Sequence, residues 1–584
     1  MNILGVSALY HDSACCLLKD GLLVAAVQEE RFTKKKADSS MPVNAMSYCL
    51  SEGNIAISDV DIIAYYEDPV KKLARQLWSG YDMEVSSFAT KMDPTRPERE
   101  IREKLGFEGE IKFYEHHLSH AASSYFFSGF NDSSILTVDG VGEWATTTYG
   151  FAQGSDIDLF EEVHFPDSLG LLYAAITSFL GFKINGGEYK VMGLAPYGKP
   201  VYADKIRKLI KTADKGQYHL DLQYFEFING NKMYAQSMVD LIGLSPRIPE
   251  SILDQCYMDV AKSIQVVIEE ILIEKARYLY EHTDSKNLCM AGGVALNCVA
   301  NGKVLRNTPF EKLYIQPAAN DAGCALGAAA LAHVELTGSK HQIGRMEHVY
   351  YGPEYSNHDI KRLLEATSLN YTDCGNDSSK TIEVTAEKLS KGKVIGWFQG
   401  KMEFGPRSLG SRSILADPRS PDMRDKINAM VKKREMFRPF APSVLENKAK
   451  EHFDLDHDSP FMLETCQVIS TLDLPAITHV DLSARVQTVS GKTNPKYYDL
   501  IAAFDKMTNC PMLLNTSFNV RGQPIVNTPA DALICFLKSG IDCLVMGDFI
   551  IEKENNITAL LEFMLNNYDD FRQSDLVTSV YTFL

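Results

Sequence analysis

No stretch of this sequence offers the roughly twenty consecutive apolar residues that a membrane-spanning helix needs, so no membrane partner is expected. The first residues, MNILGVSALYHDSACCLL, lack a basic segment and interrupt their apolar run with His11 and Asp12, so no secretory signal is expected either. There is no C-x-x-C pair, and the 12 cysteines are scattered, several inside apolar runs such as NLCMAGG and DALICFL. That usage excludes a disulfide framework and fits reduced, buried thiols in a cytoplasmic protein. Basic charge is also short: 59 Lys and Arg against 76 Asp and Glu leave a net charge of -17. Neutralising many phosphates wants the opposite balance, so no nucleic-acid partner is expected.

What is present exceeds one ordinary core: 584 residues, of which 45% are hydrophobic and 23% charged, predict a globular protein of two or more domains. NILGVSA reads as a strand, a polar loop with His11, Asp12 and Ser13 follows, and two apolar runs then flank Asp20-Gly21, a strong hairpin signal. The same order returns at SILTV, the loop DGVGEW, and TTTYGFAQ and DLFEEVHF around the Gly154-Ser155-Asp156 turn. This repeat of arrangement rather than of letters predicts two α/β halves. It resembles the actin, Hsp70 and sugar-kinase superfold, whose duplicated units face each other across a nucleotide cleft, and that resemblance implies phosphate contacts from the two polar loops.

The stretch from His116 to Glu143 is the chemical centre of the text. If HHLSHAASSYFF is helical, His116 and His120 share one face a turn apart. SILTV ends at Asp139, where a strand hands a carboxylate to a loop. Two nitrogen donors and one oxygen donor suit a divalent metal, although an i,i+4 His pair is also common as plain core or surface histidine. Glycine loops recur at Gly170, at Gly186 and Gly187, and at Gly292 and Gly293, where backbone N–H groups can approach an anion. Asp321, after the strand KLYIQ and before a small-residue helix, can supply a second carboxylate.

From about Glu335 to His348 the text turns polar and marks a linker, so one domain is expected over 1–350 and a second α/β domain over 351–584. The second carries Arg407, Arg412 and Arg419, then Lys432, Lys433, Arg434 and Arg438, then Arg485, and then Asn515 to Arg521. So many cations beside Gly, Ser and Asn predict a phosphate pocket. Lys433 and Arg419 read instead as solvated charge, and Arg438 in FRPFAP as a held guanidinium that needs an anion.

The motifs GVSALYHDSA, EERFTKKK, EHHLSHAASS, LTVDGVGEW, GGEYKVMGLAPYG, GGVALN, NDAGCALGAA, FGPRSLGSRSILADPR, VKKREMFRPFAPSV, ARVQTV and NTSFNVRGQPIV run in order over nearly the whole chain. They resemble the O-carbamoyltransferases of the nodulation and antibiotic-biosynthesis type. The resemblance implies an α/β fold: an N-terminal duplicated actin/Hsp70-like domain, similar to threonylcarbamoyl transferases, plus a C-terminal YrdC-like domain. It implies that carbamoyl phosphate and ATP (with magnesium) give carbamoyl adenylate in the second domain. The first domain then transfers the carbamoyl group to a hydroxyl of a small natural product.

By the same resemblance, iron(II) or a similar divalent ion is held by His116, His120, Asp139 and Asp321, with His117 left out, and His11 is the general base. Lys36, Asp139, Gly170, Gly292, Gly293 and Asn297 match nucleotide positions of the first domain, and Lys432 and Ser517 positions facing ATP in the second. Arg407, Arg438, Arg485 and Asn515 match carbamoyl-phosphate contacts. Leu482 and Ser483 depart from the glycine and threonine that the family often carries. Acceptor contacts are expected in the loop Ala8 to Asp12 and in 215–250. A sugar-kinase-like enzyme leaves the His pair and the arginine-rich half without a role. An ATP-gated binding protein is the third reading, and bound iron and pyrophosphate release separate the first from both.

Overall fold

A computed structural model of the chain describes residues 1–80, 92–228, 232–340, 343–375, 377–432, 435 and 437–556. These fall into two compact units: Met1–Thr33 with Ala37–Met346, and Lys34–Lys36 with the described residues from Glu347. Among the described residues no helix is long and apolar enough to cross a membrane.

The first unit holds one topology twice. Its first sheet is built from β1 (Asn2–Ser7), β2 (Ala14–Lys19), β3 (Leu22–Gln28), β4 (Ile62–Tyr65) and β5 (Glu110–Phe113), in the order β3-β2-β1-β4-β5. The hairpin strands run antiparallel and β4 and β5 run parallel to β1. The Asp20-Gly21 turn joins β2 to β3, with both residues in the left-handed region that such a tight turn requires. The second sheet begins with β6 (Asp132–Val138), β7 (Ala145–Gln153) and β8 (Asp156–His164). A separate hairpin of β9 (Ile210–Thr212) and β10 (Tyr218–Leu220) precedes its last strands, β11 (Asn287–Ala291) and β12 (Lys312–Ile315). The order β12-β11-β6-β7-β8 is the first sheet's order again, with β11 and β12 parallel to β6 and the hairpin antiparallel.

In each half a helix follows the fifth strand: His116–Tyr125 after β5, and Asp321–Thr337 after β12. Both are rich in Ala, Ser and Gly, and small side chains let helix backbones approach closely. A Cβ on Gly327 would lie 1.8 Å from the Ser119 carbonyl oxygen, and one on Gly5 would lie 1.9 Å from the Ala325 oxygen. The helix Asp321–Thr337 is therefore wedged between β1 and the helix His116–Tyr125, which sets Asp321 opposite the histidines. The helix runs on through Glu335, where a polar linker was expected, and stops at Gly338 in the left-handed conformation that ends many helices. Polar composition alone did not break it, because Ala, Leu and Glu favour helix.

The second unit carries an eight-stranded mixed sheet. Its strands are β13 (Thr372–Asp373), β14 (Ile395–Phe398), β15 (Arg412–Ala416), β16 (Ala441–Leu445), β19 (Gln487–Val489), β20 (Met512–Ser517), β21 (Cys543–Met546) and β22 (Phe549–Glu552). A short ribbon of β17 (Cys466–Gln467) and β18 (Ser483–Ala484) stands apart. The order is β13-β22-β21-β14-β15-β20-β16-β19, with β14–β15–β20–β16 antiparallel. The core of this unit gathers Trp397, Phe398, Leu514 and Phe504.

Candidate metal centre

His116, His120, Asp139 and Asp321 each present a ligand atom within 4.8 Å of all the others. Asp139 Oδ2 lies 3.2 Å from His116 Nε2 and 3.9 Å from His120 Nε2. Asp321 Oδ1 lies 3.8 Å from both ring nitrogens. His116 is 1% exposed, His120 and Asp321 0%, and Asp139 4%. Among the described residues, both oxygens of Asp321 and both nitrogens of His120 are buried without a hydrogen-bond partner. A buried carboxylate left that way is costly unless a cation answers it, and two imidazoles with two carboxylates are a fitting donor set for a divalent ion. The residues fit the metal.

The backbone around this centre is shaped to hold it. Gly293 N–H donates to Asp139 Oδ1 at 2.7 Å. Gly292, at φ +95°, crowds the Val138 carbonyl, where a Cβ would fall 2.2 Å from the oxygen. A Cβ on Gly170 would fall 2.7 Å from the Asp139 oxygen. Ser168 caps its helix by accepting the Leu171 N–H at 3.0 Å and donates to the Gly140 oxygen at 2.7 Å. Three glycines read from the sequence as nucleotide contacts thus converge on the end of β6.

Glu143 does the same for the helix. It accepts the His116 N–H at 2.9 Å and the Asp68 N–H at 2.6 Å, placing a carboxylate at the helix N-terminus. Burial pushes its acid up to about 7. Asp139 moves the other way: burial opposes its charge, but the hydrogen bond from His116 and the charges of His120 and His116 hold it well below the usual carboxylate range. His117 turns from the centre, its Nδ1 2.6 Å from Thr137 Oγ1.

His11 reaches the same carboxylates from the β1–β2 loop. Its Nδ1 is 3.0 Å from Asp12 Oδ2 and 3.8 Å from Asp321 Oδ2. Burial opposes its charge, but Asp321 and Asp12 outweigh that and push its pKa up to about 10. The loop is strained, with Leu9 at φ +70° and Asp12 at φ +53°, and it is tied down by Leu9 N–H to Ser39 O and Ser13 N–H to Asp38 O. Lys36 is exposed in a turn, within the three residues that group with the second unit. Asn297 caps the helix Cys298–Asn307 through Ala300 N–H at 3.1 Å, and its amide pairs reciprocally with Gln265.

In the second unit, Asn515 Nδ2 donates to Ser408 O, Ser443 Oγ and Gln487 Oε1, while its Oδ1 is buried without a partner. The loop that carries Arg407 is therefore held against β20. Glu403 Oε1 gathers the N–H groups of Leu409, Ser411 and Arg412 in that loop. Arg485 Nε is buried without a partner, and Arg438 Nη1 lies 3.5 Å from Glu435 Oε2. Ser517 donates to Asn519 Oδ1 at 2.8 Å. Arg412 is a correction to the sequence reading: its guanidinium is 0% exposed, spends itself on the carbonyls of Gln399, Gly400 and Pro353, and stacks on Phe398 at 3.7 Å. Arg419 is paired with Asp417 rather than merely solvated. The Lys432 side chain, Lys433, Arg434 and residues 229–231 of the expected acceptor region lie outside the described residues.

Residues 2–330 match the family model for the carbamoyltransferase N-terminus, and residues 386–553 match that for the carbamoyltransferase C-terminus. The chain belongs to the carbamoyltransferase family. Among curated relatives of this carbamoyltransferase, nodulation protein NolNO of Sinorhizobium fredii is 40% identical over 93% of this chain and 79% of that one. The uncharacterized protein sll1178 of Synechocystis is 44% identical over 94% of this chain and 97% of that one. The 3'-hydroxymethylcephem-O-carbamoyltransferase of Amycolatopsis lactamdurans is 26% identical over 92% and 97%. The solved structure of HypF from T. kodakarensis overlaps 59% of this chain and 49% of its own at 15% identity with a TM-score of 0.30, too low to carry weight.

Three residues of this carbamoyltransferase that hold the candidate side chains and their turns in place escaped the sequence reading: Glu143, Ser168 and Gln265. Glu143 had a signal, since DGVGE places a carboxylate four residues after Asp139. Nothing in the letters linked Ser168 to Gly140 or Gln265 to Asn297, because those partners are distant in the chain.

Proposed function

We propose that this carbamoyltransferase works in two steps. Carbamoyl phosphate, ATP and a water give carbamoyl adenylate, pyrophosphate and phosphate. The carbamoyl group then passes to a hydroxyl of a small natural product, with AMP as the second product. The observation that carries the reading is the buried set His116, His120, Asp139 and Asp321, with neither Asp321 oxygen hydrogen-bonded among the described residues. A divalent ion there, of the iron(II) class, supplies Lewis-acid polarisation of the carbamoyl carbonyl and a grip on the adenylate phosphate.

In this reading the chain's own residues do the rest. Gly293 and Glu143 fix the donors. Asp12 and Asp321 flank His11 Nδ1. A divalent ion on Asp321 would remove much of the negative charge that holds His11 protonated. The neutral ring, with Nδ1–H on Asp12, would then have Nε2 open to take the proton of the acceptor hydroxyl. The Gly170, Gly292, Gly293 and Asn297 turns bind the adenylate in the domain 1–350. We assign adenylate formation to the domain 351–584, of YrdC-like type. There Arg407, Arg438, Arg485 and Asn515 bind carbamoyl phosphate, and Lys432 and Ser517 face ATP with its magnesium. Several fixed cations are what two mutually repelling phosphate substrates need. The setting is cytoplasmic, without nucleic acid or membrane.

The test needs no acceptor. The purified protein, anaerobic and supplied with iron(II), is incubated with ATP and carbamoyl phosphate and followed by phosphorus NMR. Pyrophosphate that forms only when carbamoyl phosphate is present supports the first step. ADP in its place turns the reading towards a kinase.

A further inference from the structure

Cys324 stands three residues after Asp321 on the helix Asp321–Thr337, one turn further along. Its side chain is 0% exposed. Its Sγ and one nitrogen of each of His116 and His120 lie within 4.8 Å of one another, while the set that joins the same histidines to Asp139 and Asp321 omits it. The His pair thus belongs to two donor sets, one closed by carboxylates and one by sulfur. The ordinary role of a buried cysteine is that of a small apolar side chain. Two features beside it are not apolar: His120 has both ring nitrogens buried without a partner, and so is Nδ1 of His116.

We propose that His116, His120 and Cys324 form a second, thiol-based metal position that captures soft ions in competition with the carboxylate set. This rests on the metal reading above and deepens it. Ligand chemistry separates the two sets. Thiolate with imidazole selects thiophilic ions, whereas carboxylate oxygens suit manganese and magnesium. A neutral imidazole has a single acceptor nitrogen, so each histidine serves one ion at a time and the positions exclude each other. Capture forms one metal–sulfur bond and breaks the S–H bond, and the proton leaves to solvent. A soft ion bound there withdraws both histidines from Asp139 and Asp321, which makes such ions inhibitors that act by displacement.

The test uses the full-length protein, metal-free and anaerobic. Manganese(II) binding is followed by electron paramagnetic resonance, and cadmium(II) binding by near-ultraviolet thiolate-to-metal absorption. In the wild type, cadmium is expected to raise that absorption and to release bound manganese one for one. In Cys324→Ala the component of the absorption tied to manganese release disappears and cadmium affinity falls at least about tenfold. Manganese affinity in that variant stays within about twofold of wild type. Equal cadmium affinity and absorption in both proteins overturn the proposal, as does a variant that loses manganese and cadmium together, since that marks a packing role. Should Cys324→Ala fail to fold, Cys324→Ser is read in the same way. A wild type that ignores manganese but still gives the Cys324-dependent cadmium signal sinks the four-residue reading and supports the thiol position.

Discussion

Gly293 and Asp139 are joined by a hydrogen bond of 2.7 Å from backbone N–H to Oδ1, and it is this bond that turns Oδ2 to within 3.2 Å of His116 Nε2. A main-chain donor at a glycine turn thus aims a carboxylate at a histidine from a distant part of the chain. Outer contacts of this kind orient metal ligands.

Gly292 makes that turn possible. Its φ of +95° is open to glycine, and a Cβ there would meet the Val138 oxygen at 2.2 Å. Gly292→Ala is expected to cost about 1–3 kcal/mol in denaturant unfolding and to weaken metal binding with it. Unchanged metal affinity in a destabilised protein would show that the turn serves folding alone.

Among the described residues neither oxygen of Asp321 receives a hydrogen bond. Divalent metal at 100 times its dissociation constant should stabilise the wild type by about 2.7 kcal/mol. In Asp321→Asn that metal-dependent rise in Tm should vanish while the far-ultraviolet circular dichroism stays native. A rise of the same size in the variant would remove Asp321 from the ligand set.

His11 lies beside Asp12 and Asp321 but outside the four-residue set. His11→Ala is expected to lower carbamoyl transfer by about 10²–10⁴-fold while pyrophosphate formation continues. Equal loss of both half-reactions would sink its assignment as base.

Arg412 and Arg485 should part company. Arg412 is buried on backbone carbonyls, so Arg412→Ala is expected to destabilise the second unit by about 3 kcal/mol or more, read by thermal denaturation. Arg485 is only partly buried and its Nε has no partner. Arg485→Ala should leave Tm nearly unchanged and abolish pyrophosphate release.

Leu482 sits at φ +62° in an exposed turn, where a Cβ is unfavourable. Leu482→Gly is expected to stabilise the protein by about 1 kcal/mol, and a loss of stability in urea titration would contradict the strain argument.

Much of this could be read from the letters. The Asp20-Gly21 hairpin, the strand ending at Asp139, the helix bearing His116 and His120, and the strand-to-helix corner at Asp321 all appear where the local pattern put them. Each is a short-range property: a turn pair, a run of apolar residues, a spacing of four. Composition and motif order were enough for the family as well.

What the letters could not supply were the partners. Arg407 and Arg412 look alike five residues apart in one basic motif, yet Arg412 is swallowed by carbonyls from two other segments, Gln399-Gly400 and Pro353. Gly292, Gly293 and Gly170 read as phosphate turns, and the structure also packs them on Val138 and Asp139, more than 25 residues earlier in the chain. Cys324 reads as one more buried thiol until the helix packing sets it against His116 and His120. Local sequence determines which backbone conformation and which chemical group stand at each position, because those depend on near neighbours. Which groups meet is decided by the close approach of two small-residue helices and one strand at Gly327 and Gly5, and that is a property of the packed interior alone.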